Sequence, residues 1–262
     1  MIKQQVIWIT GASSGIGKAL TLQLSDLNNQ LIISSRNKRA LEDVKKKSKH
    51  PKNIKILPID LANYKQLQAK VEIALSFFNR VDILINNGGV SQRSLISETD
   101  IEVDKHLIEV NYLGTVALSK ALLPYFIKNK SGCFVTVTSL MGKFGSPYRS
   151  GYCGSKHALH GFFDVLRMEH EKDNINVTLV CPGFVNTNIA RNALNANGET
   201  QKSQDEATEN GLDVNVFAKK MIKAIAQKKF EVNIGKGEVR GVYLKRFFPK
   251  LLHKIVLKHK VR

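Results

Sequence analysis

The sequence predicts a single α/β domain, built on a doubly wound parallel sheet of about seven strands with helices on both faces. Short apolar, β-branched runs alternate with longer amphipathic stretches, and this alternation is typical of repeated βαβ units. The chain shows neither an internal repeat nor a linker rich in Pro, Gly or Ser, so one domain is expected. Ligands of such sheets bind at the carboxyl ends of the strands, where site residues should therefore lie.

The alternation places the individual elements. The strands are predicted near Val6–Thr10, Gln30–Ser34, Ile54–Pro58, Val81–Asn86, Cys133–Thr138, Val177–Cys181 and Glu231–Ile234. The helices are predicted near Gly15–Leu27, Lys38–Lys47, Tyr64–Phe78, Glu102–Ile127, Tyr152–Glu171 and Val214–Gln227. Together these elements define a domain over residues 1–240, followed by a tail at residues 241–262.

The composition fits a cytoplasmic globular protein. Of its 262 residues, 43% are hydrophobic, enough to fill one large core. Its three cysteines include no CxxC pair, which argues against a disulfide framework and favours a reducing compartment. The seven histidines show no metal-ligand spacing, and no metal is expected. No stretch reaches the ~18 apolar residues that a spanning helix requires, which leaves only peripheral membrane contact open.

A formal net charge of +18 results from 40 Lys and Arg against 22 Asp and Glu. The basic residues concentrate between Arg36 and Lys55 and again in the tail, where no acid follows Glu238. Such runs usually form solvated faces, and no nucleic-acid-binding motif accompanies them. Nucleic acid is therefore not an expected partner.

Two segments depart from the alternation. Residues 186–211 are polar and have few apolar anchors, which predicts a lid over a site, the alternative being an ordinary surface insertion. The tail is a basic amphipathic pattern in which Pro249 suits the first turn of the last helix. Its apolar residues at helical spacing are Leu244, Phe247, Phe248, Leu251, Leu252, Ile255 and Val256. Such a stripe can lie in a membrane interface, or pack on the protein's own core or on a partner subunit, and these alternatives stay open.

A glycine-rich turn follows the first predicted strand. Thr10–Gly17 reads TGASSGIG and leads directly into a helical pattern. Glycines in that position permit a tight turn and let a pyrophosphate approach the helix N-terminus. The spacing is GxxxGxG rather than GxGxxG, so the turn alone is also compatible with a plain strand–helix connection.

The residue after the second predicted strand bears on the choice of dinucleotide. An acid at this place would bind the ribose hydroxyls of NAD, whereas a cation accommodates the 2′-phosphate of NADP. Arg36 stands here, with Lys38 and Arg39 beside it. NADP(H) is therefore preferred over NAD(H), the alternative being a surface arginine at a strand end. Ser14, inside the glycine turn, adds no positive charge, so the preference depends on Arg36.

Three further residues suggest acid–base chemistry. Tyr152 and Lys156 are four residues apart, so they share one face of a helix, and Ser139 ends the preceding strand. An ammonium group near the phenol is expected to lower its pKa and make it a proton shuttle, while the serine polarises a substrate oxygen. A tyrosine on a helix surface is the alternative for the isolated YxxxK pair.

These residues and several others resemble the short-chain dehydrogenase/reductase family over nearly the whole chain. The matching motifs are TGASSGIG, Asp60-Leu61, Asn86-Asn87-Gly88-Gly89 in place of the family's usual NNAG, Asn111, Ser139, YCGSK at Tyr152–Lys156, and Pro182-Gly183 with Thr187. The resemblance implies a Rossmann fold, a small-molecule carbonyl or alcohol substrate, and a homodimer or homotetramer. Within the family it is strongest to the member 7 group and its 7B-like branch, through Asn111–Gly114, Ala121–Pro124, Tyr148–Ala158 and Phe162–Asp164.

The resemblance also implies roles for the matched residues. Tyr152 would exchange a proton with the substrate oxygen held by Ser139, and Lys156 would bind the nicotinamide ribose. Asn111 would position a water that links Lys156 to solvent. Asp60 is expected to contact the adenine, Asn86 the adenosine side of the cofactor, and Thr187 the carboxamide of the nicotinamide. The full set expected to bind the cofactor is Gly11, Ser13, Ser14, Gly15, Ile16, Gly17, Arg36, Asp60, Leu61, Asn87, Gly88, Tyr152, Lys156, Pro182, Gly183, Val185 and Thr187.

The expected function is an NADP(H)-dependent oxidoreductase that interconverts a secondary alcohol and a ketone or aldehyde. One alternative is reduction of 3-oxoacyl thioesters on an acidic carrier protein, which the basic surface would help to steer. Another is a catalytically idle nucleotide-binding scaffold, against which the four residues Asn111, Ser139, Tyr152 and Lys156 argue.

Overall fold

A computed structural model describes residues 2–258 of the chain. Its strands are β1 (Val6–Thr10), β2 (Gln30–Ser34), β3 (Ile54–Ile56), β4 (Ile83–Asn86), β5 (Gly132–Val137), β6 (Ile175–Pro182) and β7 (Glu231–Ile234). They form one parallel seven-stranded sheet in the order β3-β2-β1-β4-β5-β6-β7, which confirms the predicted doubly wound architecture.

Helices connect the strands and cover both faces of the sheet. They are α1 (Gly15–Asp26), α2 (Lys38–Lys47), α3 (Leu67–Phe78), α4 (Ile101–Ile108), α5 (Gly114–Lys128), α6 (Ser150–Glu169), α7 (Glu206–Glu209), α8 (Val214–Ala226), α9 (Arg240–Phe247) and α10 (Pro249–Lys258). The long helix predicted over Glu102–Ile127 is interrupted by a π-helical turn, Glu109–Leu113, between α4 and α5. Such turns are rare and concentrate at functional sites.

The core consists of two apolar layers, one on each face of the sheet. Because side chains alternate along a strand, Ile7 and Ile9 of β1 belong to the layer that α1 and α8 cover, and Trp8 belongs to the opposite layer with α3, α5 and α6. Burial on both faces explains why central strands such as β1 and β4 read as nearly continuous apolar runs in the sequence.

The chain order of the strands reverses between β1 and β4, which pair directly through Trp8 and Leu84. β2 and β3 continue on one side of this point and β5, β6 and β7 on the other. A crevice at the carboxyl ends of the strands is the usual ligand site of such a sheet. The glycine turn after β1 and the segment after β4 meet there.

Residues 186–211 contribute no strand to the sheet. They contain the short helix α7 and two isolated bridges in which Leu194 pairs with Gln92 and Thr200. The segment therefore lies against the β4–α4 connection rather than away from the domain.

The tail forms α9 and α10, and Pro249 begins the second helix as predicted. Leu252 is buried, and Leu244 and Val256 pack with it against Leu140 and Phe144 of the domain. Part of the apolar stripe therefore covers the protein's own core, one of the alternatives that the sequence left open. Residues 259–262 of the predicted tail lie outside the described residues. Across residues 2–258, the helices are all too short or too polar to cross a bilayer.

Candidate active site

The glycine turn at the end of β1 is closely packed. Gly11 has a left-handed φ of +64°, and a Cβ atom there would lie 2.8 Å from the Gly88 Cα. A Cβ atom on Gly17 would lie 2.3 Å from the Gly11 carbonyl oxygen, so α1 and β1 can approach this closely only with glycine. Gly17 serves this packing and does not itself line the pocket described next.

A cavity of about 1260 Å³ opens at this point, larger than a typical small-molecule site. The predicted cofactor-binding residues that line it are Gly11, Ser13, Ser14, Gly15, Ile16, Arg36, Asp60, Leu61, Asn87, Gly88, Pro182, Gly183, Val185 and Thr187. The predicted catalytic residues Ser139, Tyr152 and Lys156 line the same cavity.

The N-terminus of α1 suits a pyrophosphate. Ser14 caps this helix without a side-chain hydrogen bond, and the first turn carries no acid. The backbone N–H groups of the first turn are therefore available to an anion, which the helix dipole also favours. Arg36 is exposed at the end of β2 in the same cavity. The residues present thus fit a bound dinucleotide.

Ser139, Tyr152 and Lys156 meet at the carboxyl end of β5. The Tyr152 hydroxyl shares a hydrogen bond with the Ser139 side chain. The Lys156 Nζ lies 5.8 Å from the centre of the Tyr152 ring and donates to the Val137 carbonyl oxygen at 2.9 Å. Ser139 is oriented in turn because its Oγ accepts a hydrogen bond from the Met141 backbone N–H. A substrate oxygen at this position would contact a hydroxyl donor from both Ser139 and Tyr152.

Burial controls the protonation of this group. It raises the pKa of Tyr152, an effect that the Ser139 hydrogen bond and the positive charges of Arg93 and Arg149 only partly counteract. Burial also lowers the pKa of Lys156 to about 8. The pKa of Tyr152 thus shifts in the direction opposite to the one predicted from its lysine neighbour, because the loss of water on burial is the largest effect. At neutral pH the phenol carries its proton.

Asn111 lies beside this group but outside the cavity wall. It is buried in the π-helical turn, where its Nδ2 donates to the Val90 carbonyl at 2.9 Å and to the Ser155 Oγ at 3.0 Å. Its Oδ1 accepts from the Val90 N–H at 2.8 Å. The side chain therefore fixes the β4–α4 connection against α6, the helix that carries Lys156.

Asn86, which the resemblance assigned to the adenosine side, faces away from the cavity. Its Nδ2 donates to the Ser119 Oγ at 3.0 Å inside the core. Asn87 takes the place at the cavity wall, and its amide donates to the carbonyl oxygens of Thr10 and Gly11.

Sequence reasoning missed a buried charge cluster in the cavity wall. Arg93 donates to Asp205 from Nε at 3.0 Å and from Nη2 at 2.7 Å, and Arg149 lies next to the same carboxylate. The two bonded residues are 112 positions apart. No local spacing could therefore have revealed the pair, although an Asp in the polar segment 186–211 is a weak signal.

A second cluster was also missed. His160, Cys181 and Glu231 bring one potential ligand atom each to within 4.8 Å of one another. The Lys143 ammonium already binds the Glu231 carboxylate, and burial lowers the pKa of His160 to about 4. A neutral imidazole beside an ion pair accounts for this group.

Part of the cavity wall is apolar. Leu140, Met141 and Phe144 line it together with tail residues, among them Leu244 and Leu252. The tail thus forms part of the wall that a substrate would contact.

The fold and the lining of the cavity fit a nucleotide-binding oxidoreductase. The family model for short chain dehydrogenase matches residues 5–198, and the chain belongs to this family.

Among its relatives, dehydrogenase/reductase SDR family member 7 of Homo sapiens is 46% identical over 199 residues, which cover 74% of this chain and 59% of that protein. A dehydrogenase/reductase SDR family protein 7-like of Anopheles gambiae is 38% identical over 97% of this chain and 82% of its own length. The chain thus spans less than two thirds of the human relative. These matches confirm the resemblance to the member 7 group.

Solved structures agree on the fold. A short chain dehydrogenase/reductase from Burkholderia phymatum in complex with NAD has a TM-score of 0.83 at 23% identity, covering 100% of this chain and 98% of that chain. ElxO with NADP bound has a TM-score of 0.67 at 28% identity, over 70% of this chain and 75% of that chain. Both dinucleotides therefore occur with this fold, and the choice between them depends on local residues.

Proposed function

We propose that this protein is an NADP(H)-dependent oxidoreductase that interconverts a secondary alcohol and a ketone or aldehyde. The observation that carries the proposal is the meeting of Ser139, Tyr152 and Lys156 in one cavity with the glycine turn and Arg36. Acid–base groups and a dinucleotide cradle within one cavity are what hydride transfer to a carbonyl requires.

The nicotinamide ring supplies the hydride when the dinucleotide is bound. Ser139 donates a hydrogen bond to the carbonyl oxygen and holds it beside the Tyr152 hydroxyl. Tyr152 then gives its proton to the oxygen as negative charge develops there. Because burial raises its pKa, the phenol enters the reaction protonated, which favours reduction of the carbonyl at neutral pH. Lys156, one helical turn away, stabilises the phenolate that remains.

The preference for NADP(H) depends on positive charge at the end of β2. Arg36, Lys38 and Arg39 are all exposed there, and Arg36 borders the cavity. A guanidinium group matches the geometry of a phosphate and binds it through two N–H donors. In this proposal Asp60, on the loop after β3, contacts the adenine.

Residues 186–211 act as a lid in this proposal. Thr187, Ile189 and Thr208 of this segment line the cavity, and the lid would close over the nicotinamide end.

The exposed face of the tail offers a contact with anionic membrane surfaces. Tyr243, Phe247 and Phe248 are between 61% and 68% exposed, and Lys245 and Arg246 lie among them. Aromatic side chains between cations are typical of interfacial helices. Phe247→Glu should abolish co-sedimentation with phosphatidylserine vesicles while leaving turnover intact; unchanged co-sedimentation would exclude the tail as an anchor. Deletion is a poorer test, because the tail also forms part of the cavity wall.

We further propose a cytoplasmic, homodimeric or homotetrameric enzyme. Cys133, Cys153 and Cys181 are free thiols, which suits a reducing compartment. Light scattering of the purified protein would measure the assembly.

The function is tested by a screen of carbonyl compounds with NADPH and of alcohols with NADP⁺, each repeated with NADH and NAD⁺. We expect turnover of at least one carbonyl, faster with NADPH. Tight NADPH binding without turnover of any compound would instead favour an idle scaffold, and turnover restricted to carrier-bound thioesters would favour a carrier-protein reductase.

A further inference from the structure

The charge cluster in the cavity wall holds two cations and one anion. Arg93, Arg149 and Asp205 are each 3% exposed. Arg93 makes both of its hydrogen bonds to Asp205 through the carboxylate oxygen Oδ2. The Arg149 Nη2 lies 3.6 Å from that same oxygen, beyond hydrogen-bond distance. One carboxylate thus serves two guanidinium groups: it is hydrogen-bonded to Arg93, whereas it forms an ion pair with Arg149 that includes no hydrogen bond.

The other hydrogen bonds of Asp205 and Arg149 do not satisfy the Arg149 guanidinium group. The second oxygen of Asp205 accepts the Thr208 backbone N–H at 2.8 Å and caps α7. The Arg149 Nη1 reaches only the Ser146 Oγ at 3.5 Å and the Pro147 carbonyl oxygen at 3.3 Å. Among residues 2–258, the buried Nη2 of Arg149 has no hydrogen-bond partner. Burial and the charge of Arg93 lower the pKa of Arg149 to about 10, so the guanidinium stays charged at neutral pH but is poorly stabilised.

A buried cation without a hydrogen-bonded counter-ion is costly, and proteins retain such groups where a ligand satisfies them. Arg149 lines the cavity that contains Ser139 and Tyr152, and it immediately precedes α6. Asp205 belongs to the lid, so lid movement changes the space beside Arg149. An acidic group on a substrate held at Tyr152 could take this place.

We propose that Arg149 forms an anion-binding subsite, and that the natural substrate carries a carboxylate or phosphate besides its carbonyl or hydroxyl group. This inference rests on the proposed function. Arg93 remains paired with the lid through Asp205, while Arg149 supplies the planar N–H donors that acidic oxygens prefer.

The test measures binding of matched anionic and neutral carbonyl compounds. The probes are levulinate, para-acetylbenzoate and para-acetylphenyl phosphate. Each is paired with its neutral ester, which is the methyl ester for the two carboxylates and the dimethyl ester for the phosphate. Dissociation constants are measured by calorimetry on the protein saturated with NADP⁺, which cannot reduce them. At least one acid should bind about tenfold or more tightly than its ester, since hydrogen bonds to charged groups are worth that much. Comparison of the carboxylates with the phosphate identifies the preferred anion.

Arg149→Gln should remove the preference for the acid, and Arg149→Lys should retain part of it. Arg191→Gln is the matched control, because Arg191 is exposed on the same lid and does not line the cavity. Arg149 also influences Tyr152 by its charge, but that effect acts equally on an acid and its ester, so their ratio isolates the subsite.

Equal affinity of every acid and its ester for the wild-type protein would overturn the inference, as would a preference that survives Arg149→Gln. The comparison of acid and ester binding to the wild-type protein tests the inference even if a variant fails to fold. Reduction of neutral esters by NADPH without an anion preference would refute the subsite alone. Acid binding through Arg149 without turnover of any carbonyl would refute the proposed function and leave the subsite standing.

Discussion

Lys156 should make the stability of the protein increase with pH, and the substitution Lys156→Met should remove this increase. Its ammonium is buried, and burial lowers its pKa from 10.5 to about 8. The interval between these values corresponds to about 3 kcal/mol of unfavourable free energy for keeping the charge in the folded state. Lys156→Met removes this cost, but it also leaves the Val137 carbonyl without its donor, which costs about 1–3 kcal/mol at every pH.

The pH dependence separates the two effects. Between pH 8 and 10.5 the unfolded wild-type chain binds more protons at Lys156 than the folded one, so wild-type stability rises with pH there relative to the variant. Between pH 7 and pH 10, we expect the free energy of unfolding of the wild type to rise by about 2–3 kcal/mol relative to that of Lys156→Met. The lost Val137 bond does not titrate and cancels from this change.

The assay is urea unfolding of both proteins without dinucleotide, followed by far-UV circular dichroism at several pH values. Lys219→Met is the control, because Lys219 is exposed on α8 and should show no such change. A difference between wild type and Lys156→Met that stays constant from pH 7 to pH 10 would refute the argument that burial sets this pKa.

Four further outcomes follow from the site and the tail. Carbonyl reduction should be constant around neutral pH and fall about tenfold per pH unit above roughly pH 8 as Lys156 loses its proton; a steady-state pH profile that rises there would contradict this. Ser139→Ala should lower kcat/KM about 10²–10³-fold without weakening NADPH binding measured by fluorescence, and a loss of NADPH affinity instead would place Ser139 in a different role. Arg36→Asp should reduce the preference for NADPH over NADH about 10–100-fold in kcat/KM, whereas an unchanged ratio would move the phosphate contact elsewhere. Leu252→Ala should destabilise the protein by about 2–4 kcal/mol in urea unfolding, while the half-exposed Leu251→Ala should change it by less than about 0.5 kcal/mol; equal effects would contradict the packing of α10 on the domain.

The fold was predictable because the central strands are buried on both faces. Val6–Thr10 and Gln30–Ser34 carry uninterrupted apolar runs, and both strands begin and end as predicted. The predicted strand boundaries were less accurate. The strand predicted from Val81 begins only at Ile83, although the Asp82 backbone already bonds to Val6 and Cys133. The Asp82 carboxylate also accepts the Val6 N–H at 2.7 Å and pairs with Arg80, a contact that the apolar pattern does not encode.

The π-helical turn at Asn111 was not predictable from periodicity. Its residues continue the amphipathic pattern of the flanking helices, and the wider turn arises where Asn111 bonds to Val90 and Ser155 in other segments. Periodicity records the face of a helix and carries no information about such tertiary contacts.

The site was predictable as far as motifs are local in the chain. The glycine turn at Thr10–Gly17 and the pair Tyr152 and Lys156 can each be recognised from the spacing of their residues. The direction of the pKa shifts of Tyr152 and Lys156 was not predictable, because the effects of burial and of neighbouring charges can be weighed only when the surroundings are known. The pairing of Arg93 with Asp205 joins two loops distant in sequence, and only the folded chain brings them together.

The central claim is that the Tyr152 hydroxyl delivers the proton in a reaction of NADPH with a carbonyl compound. The most direct measurement follows NADPH consumption and alcohol formation together, for the wild type and for Tyr152→Phe, with NADPH binding of both proteins measured in parallel. We expect equal amounts of NADPH consumed and alcohol formed by the wild type, and a loss of at least about 10³-fold in the variant while NADPH still binds. A variant that reduces the same compound at the wild-type rate would contradict the account.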